Sequence, residues 1–260
     1  MCLILFAYKT NPEWPLIVAS NRDEAYSRPT QEAHFWADAP KVLAGRDLEM
    51  GGTWMGMDLE GRFAALTNFR EGFPQPNAPK SRGELVQRYL MGHTKPEPYL
   101  DAIKAERHLY AGYSCLMGDV HQLYFHSNRC DEIFAIEPGV HGLSNAFLDT
   151  PWPKVTSGQA QLTQLLSNPL ELDREALFKM LQDTKTFQDA MLPQTGIPMD
   201  RERALSAKFI AMDERYGTRS STVIMVHRSG QVQYAERGFA PWGRLLHTSE
   251  FLFQLNPSRP

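Results

Sequence analysis

Apolar runs that fold back on themselves as hairpins, with helical stretches grouped between them, restrict this chain more than any other feature. Cys2–Tyr8 and Leu16–Ser20 are short apolar runs joined by Thr10-Asn11-Pro12-Glu13, a turn sequence. Thr53–Met57 and Arg62–Leu66 repeat the arrangement through Asp58-Leu59-Glu60-Gly61. Further strands are predicted at Tyr113–Met117, His121–His126 and Glu132–Ile136, and a closing hairpin, Ser221–His227 with Gln231–Glu236, turns at Arg228-Ser229-Gly230. Helical patterning starts at Ser81, where Ser81 and Glu84 form a capping-box pattern before Leu85, Val86, Tyr89 and Leu90. It recurs at Tyr99–Ala105, Gly158–Leu166, Arg174–Gln182 and Arg201–Asp213. Strands in hairpin runs and helices in groups imply α+β layers rather than alternating βαβ units. The first and last hairpins are expected to share a central antiparallel sheet.

The 260 residues show no repeat or linker, so a single domain over residues 1–260 is expected. A net charge of −3 supplies no basic surface for a phosphate backbone, so no nucleic-acid partner is expected. No apolar run reaches the roughly 18 residues needed for a transmembrane segment. The start lacks the basic region of a signal peptide, and the three cysteines, Cys2, Cys115 and Cys130, show no metal-ligand spacing. A reducing, cytoplasmic setting with no metal and no cofactor is the expectation. His121 and His126 lie five apart on expected strands, facing opposite sides.

The chemistry-bearing residues sit at strand ends. Initiator Met is normally trimmed before a small residue, which would give Cys2 both a thiol and a free α-amine. An amine with a pKa of about 8 is a general base at neutral pH, and beside a thiol it makes an activated nucleophile. The Ser20-Asn21-Arg22-Asp23-Glu24 cluster ends the second strand, which a hairpin brings next to Cys2. Asp23 could orient the amine, and Arg22 could bind substrate. Taken alone, the cluster also fits a surface turn with an exposed ion pair. Asn68 and Asn145 end two further strands and could donate to an oxyanion; each also fits a turn or cap. Gly51-Gly52-Thr53-Trp54 lacks the Lys-Ser/Thr ending of a phosphate loop. Its glycines allow close backbone approach beside a pocket, with Trp54 as a wall or a core residue. Trp152, within Pro151-Trp152-Pro153-Lys154, is a pocket lid or a packing corner. Arg219 stands at the mouth of the last hairpin, as an anion-binding group or a plain surface Arg.

Taken together, Met1-Cys2, Asn21-Arg22-Asp23-Glu24, Gly51-Gly52-Thr53-Trp54, Leu66-Thr67-Asn68 with Arg70, and Ser81-Arg82-Gly83 resemble the NRDE family. Gly142-Leu143-Ser144-Asn145, Pro151-Trp152-Pro153-Lys154 and Tyr216-Gly217-Thr218-Arg219 extend the likeness to about residue 237. That family is also named for transport and Golgi organisation protein 2. The resemblance implies the four-layer αββα sandwich of antiparallel sheets found in N-terminal nucleophile hydrolases. The order of Cys2, the Asn-x-Asp motif and the two Asn-bearing strand ends is more distantly similar to choloylglycine hydrolases and penicillin V acylases. That likeness implies Cys2 as nucleophile, Asp23 as holder of the amine, and Asn68 and Asn145 as the oxyanion site. Those acylases carry an Arg just before the Asn-x-Asp, where this chain has Ser20, and a later Arg where Ser206-Ala207-Lys208-Phe209 offers Lys208.

The expected function is hydrolysis of an amide or (thio)ester of a small acyl substrate by an N-terminal cysteine. Relatives in eukaryotes are associated with haem trafficking and lipid homeostasis, so the alternative is a non-catalytic carrier of haem, acyl-CoA or a related amphipathic ligand. No Cys-Pro pair and no evident His ligand favours haem.

Overall fold

The computed structural model describes residues 2–72, 78–168 and 172–256; Met1 lies outside them. The strands are β1 (Cys2–Tyr8), β2 (Leu16–Ala25), β3 (Thr30–Trp36), β4 (Ala39–Asp47), β5 (Met55–Asp58), β6 (Phe63–Asn68), β7 (Tyr113–Gly118), β8 (Leu123–Ser127), β9 (Ile133–Ala135), β10 (Gly139–Leu143), β11 (Tyr216–Val226), β12 (Gln231–Ala240) and β13 (Arg244–Gln254). The helices are α1 (Gly83–Met91), α2 (Pro96–Ala105), α3 (Pro153–Ser167), α4 (Arg174–Leu181) and α5 (Met199–Ala204). Two antiparallel sheets result, ordered β10-β1-β2-β11-β12-β13 and β3-β4-β5-β6-β7-β8-β9. The first and last expected hairpins share the six-stranded sheet, with β2 pairing both β1 and β11.

Strand β1 shows why the chain stacks into four layers. Every residue of Leu3–Tyr8 is apolar and buried. A strand sends successive side chains to opposite faces, so an all-apolar strand needs cover on both. Ile4, Phe6 and Tyr8 meet Met55, Met57, Phe63, Leu116 and Phe125 of the other sheet in the sandwich core. Leu3, Leu5 and Ala7 meet Val155 and Leu162 of α3 and Leu177 and Phe178 of α4. The outer face of the seven-stranded sheet is covered the same way by Leu85, Val86 and Tyr89 of α1 and Leu100 and Ile103 of α2. Each such side chain contributes on the order of 1.5–3 kcal/mol through burial. Helix α3 crosses β1 closely enough that a Cβ on Gly158 would stand 2.5 Å from Leu5 Cδ1. The architecture is the α+β, four-layer αββα sandwich.

Several elements depart from the sequence pattern. Helix α1 carries no side-chain cap bond, so the Ser81–Glu84 capping box does not form. Glu84 instead accepts from Arg88 and Tyr110. The helix expected over Arg201–Asp213 stops at Ala204. Beyond it the backbone is taken by tertiary partners: Lys208 O accepts from Asn21 Nδ2 at 2.8 Å, and Phe209 N–H donates to Asp183 O at 3.0 Å. Helix α3 begins at Pro153, five residues ahead of the expected start, with proline in its first turn. Strands β3, β4 and β13 had no counterpart in the pattern.

Candidate active site

The register of β1 on β2 sets Cys2 opposite Arg22. Cys2 shares the parity of Ile4 and Phe6, so it opens toward the gap between the sheets. There it lines a cleft of about 110 Å³ together with Arg22, Asp23, Glu24, Trp54, Asn68 and Arg82, among others. The cleft exists because a sandwich must end somewhere: the sheets' apolar filling stops at Ile4 and Ala65, and polar strand ends take over.

The Asn-Arg-Asp stretch is not a surface turn. Asn21, Arg22 and Asp23 are 0%, 5% and 1% exposed, inside a strand flanked by neighbours on both sides. Asn21 faces the helical layer, donating to Leu181 O and Lys208 O and accepting from Ser221 Oγ. It therefore holds the sheet to its helices and stays out of the cleft. Arg22 is no exposed ion-pair partner either: its guanidinium lies 4.3 Å over the Trp54 ring, and Glu24 is 3.7 Å away. Asp23 Oδ1 accepts from Thr218 Oγ1 at 2.7 Å, and Thr218 in turn takes the Ile210 N–H at 2.8 Å. Burial pushes the Asp23 carboxyl above its ordinary range, against the pull of Lys154, the Thr218 hydroxyl and Arg70. Burial likewise pushes the Cys2 thiol up, Asp23's charge adds to this, and Arg22 and a hydrogen bond from the Asp23 backbone oppose it.

Asn68 stands on the cleft wall. Asn145 is buried behind it: its Nδ2 donates to Asn68 O at 2.8 Å, and its Oδ1 lies 3.3 Å from Ser144 Oγ. Ser144 Oγ gives its single proton to Cys2 O at 2.9 Å, tying the strand end to the first residue of β1. Trp54 is a cleft wall, and Gly52 explains its position. A Cβ on Gly52 would lie 2.5 Å from Gly83 C, so only glycine lets the segment before Trp54 pass under the start of α1.

Two expected binding residues lie elsewhere. Arg219 Nη1 donates to the carbonyls of Ala25, Tyr26 and Arg28, clamping the turn between β2 and β3. It borders a recess of about 40 Å³ with Arg22 and Trp54, not the cleft of Cys2. Trp152 caps α3 and packs in the helical layer, with the Arg70 guanidinium 4.6 Å over its ring. Lys208 is buried against Asp183 and Ser157, so it does not replace the acylases' later Arg in the cleft.

Three residues of the site were not singled out as site residues from the sequence. Arg82 lines the cleft, donates to Gly112 O at 3.1 Å, and has no carboxylate partner among the described residues. Arg70 pairs with Glu202 beside Asp23. Lys154, 2% exposed, enters the same neighbourhood from the first turn of α3. Arg70, Arg82 and Lys154 all lay inside quoted motifs, and the helix-starting proline before Lys154 was the signal that would have turned it inward. Among the described residues no group of His, Cys, Asp and Glu could hold a metal ion, and no helix is long and apolar enough to cross a membrane.

Solved structures with this fold include two variants of a conjugated bile acid hydrolase from Clostridium perfringens. One matches with a TM-score of 0.52 over 100% of this chain and 94% of that one, at 9% identity. The other matches with a TM-score of 0.52 over 99% and 94%, at 10% identity. Both show the fold of an N-terminal nucleophile hydrolase. Curated relatives are closer in sequence. The Transport and Golgi organization protein 2 homolog of Bos taurus is 38% identical over 256 residues, covering 91% of this chain and 92% of that protein. The human homolog is 34% identical over 257 residues, with the same shares covered. The family model described as Transport and Golgi organisation 2 matches residues 1–241. With one fold, one cleft and these relatives along nearly its whole length, the chain belongs to the Transport and Golgi organisation 2 family.

Proposed function

We propose that this protein is an N-terminal cysteine hydrolase of an amide or (thio)ester bond in a small anionic acyl compound. The observation that carries the reading is that half-buried Cys2 and buried Asp23 line one cleft at the end of the sandwich, each desolvated at a cost to its charged form. Such costs are kept where chemistry needs them. Removal of Met1 frees the Cys2 amine, and Asp23 orients it. The amine takes the thiol proton, and the sulfur electron pair forms a bond to the substrate carbonyl carbon. Asn68 and the second Nδ2 hydrogen of Asn145 stabilise the oxyanion, each worth about 2.7–4 kcal/mol by analogy with other oxyanion donors. Collapse breaks the bond to the leaving group, which receives the proton from the ammonium. Water then adds to the thioester, gives its proton to the amine, and releases the acid as the sulfur recovers a proton. Arg22 and the carboxylate-free Arg82 attract the anionic part of the substrate.

The test is the intact mass of natively expressed protein, followed by a screen of thioesters, amides and lactams with Cys2→Ala as control. Loss of Met1, turnover of one class and its disappearance in Cys2→Ala are expected. Electrophiles should label Cys2 and spare Cys115, which is 0% exposed with a thiol pushed up by burial. Retained Met1 would falsify the amine-base mechanism. Saturable ligand binding without turnover would assign the cleft to a carrier of amphipathic ligands.

A further inference from the structure

Lys154 is the anomaly of the site. Its side chain is 2% exposed, and Nζ has no hydrogen-bond partner among the described residues. A lysine held dry and unbonded is costly and needs a local reason. Helix packing does not supply one, because the apolar cover over Leu3 and Leu5 is already given by Val155, Leu162 and Phe178. What surrounds it is the nucleophile's own neighbourhood. Asp23 of β2, Arg70 after β6, Cys2 of β1 and Glu202 of α5 act on its charge. Tyr216 of β11 closes the group, donating to Asp23 O at 3.0 Å. The next cation along α3's surroundings, Lys208, is neutralised by Asp183 and bound to Ser157. On the cleft side the thiol faces Arg22 and Arg82.

We propose that Lys154 is a positioning residue of the Cys2 centre, whose buried ammonium lowers the proton affinity of the thiol–amine pair that Asp23 holds. The inference rests on the hydrolase reading above. A fixed cation beside the pair disfavours a second cation there, so the pair loses its first proton at lower pH than it otherwise would. Arg70 cannot serve alone, since its guanidinium is balanced by Glu202. Burial brings the lysine itself down to about 8, and it stays mostly protonated at neutral pH.

The experiment follows the rate of Cys2 alkylation by iodoacetamide against pH, by peptide mass, in wild type, Lys154→Met and Lys154→Arg. Wild type sets the reference midpoint. Lys154→Met, which keeps the volume and removes the charge, should raise that midpoint by about one unit, and Lys154→Arg should restore it. A folded Lys154→Met with an unmoved midpoint overturns the proposal; should Lys154→Met not fold, Lys154→Gln takes its place, and an unmoved midpoint there overturns it equally. Retention of Met1 overturns both this inference and the hydrolase reading. A trimmed Cys2 that turns over substrate with an unmoved midpoint in Lys154→Met overturns the lysine's role alone.

Discussion

Replacing Glu236 by Gln should make the protein more stable at alkaline pH and leave it nearly unchanged in acid. Glu236 shares the inter-sheet face of β12 with Val232 and Tyr234, and it is 1% exposed. It accepts the Ala33 N–H at 2.7 Å and the Thr222 hydroxyl at 3.3 Å. These bonds, and the charge of Arg22, do not offset the loss of water, and burial raises the carboxyl from 4.5 to about 7. The folded state thus holds a proton that the unfolded chain has released between those two values. By linkage, stability from this group is full below 4.5, falls as pH rises toward 7, and levels off above it. A rise from 4.5 to about 7, at about 1.4 kcal/mol per tenfold, is about 3 kcal/mol in all. Between pH 5 and pH 8 about 2.5 kcal/mol of it should be lost. Gln cannot ionise and keeps one acceptor oxygen, so the slope should vanish. Urea unfolding of both proteins at pH 5, 6, 7 and 8 gives the difference directly, because the other titrating groups cancel. Parallel stability curves across that range would refute the assignment of Glu236 as a buried, proton-holding carboxyl.

Two structural predictions accompany it and the two tests of the site given above. Thr218→Val keeps the shape but removes the donor to Asp23 and the acceptor for Ile210 N–H, and it should cost about 3 kcal/mol in urea unfolding. The same change should slow Cys2 alkylation, and wild-type reactivity in the variant would count against Asp23 as the amine's holder. Gly52→Ala places a Cβ 2.5 Å from the Gly83 backbone. It should cost about 2 kcal/mol by forcing α1 from the cleft, read as a lowered thermal midpoint; an unchanged midpoint would mean the contact is slack.

The sequence revealed the parts of the fold whose pattern is local. The β1–β2 and β11–β12 hairpins carry turn residues between apolar runs, so their pairing needs no distant partner. Strands β3, β4 and β13 were missed because their outward residues mix polar and apolar types. Thr30–Trp36 alternates only loosely, and Arg244–Gln254 is largely exposed. Their order comes from neighbours across the sheet. In the site, Cys2 and Asp23 could be placed together because a hairpin has fixed geometry, whereas Asn68, on the other sheet, was joined to them by the family resemblance. The surface-turn alternative for Asn21-Arg22-Asp23 failed for a non-local reason: β11, nearly two hundred residues on, covers β2 from the other side.

Arg219 and Lys154 mark the division most sharply. Both are basic residues in short motifs, and composition treats them alike. What the chain alone determined was that an all-apolar first strand demands cover on both faces, and that a thiol stands at its end; the four-layer order was implied by the family resemblance. Tertiary structure alone decided which cations meet that thiol. Arg219 spends its donors on the carbonyls of a turn beside it, whereas Lys154 is carried inward by the start of α3 against β1. A charge's role depends on the dielectric and partners around it, and those are set by segments far away in the chain.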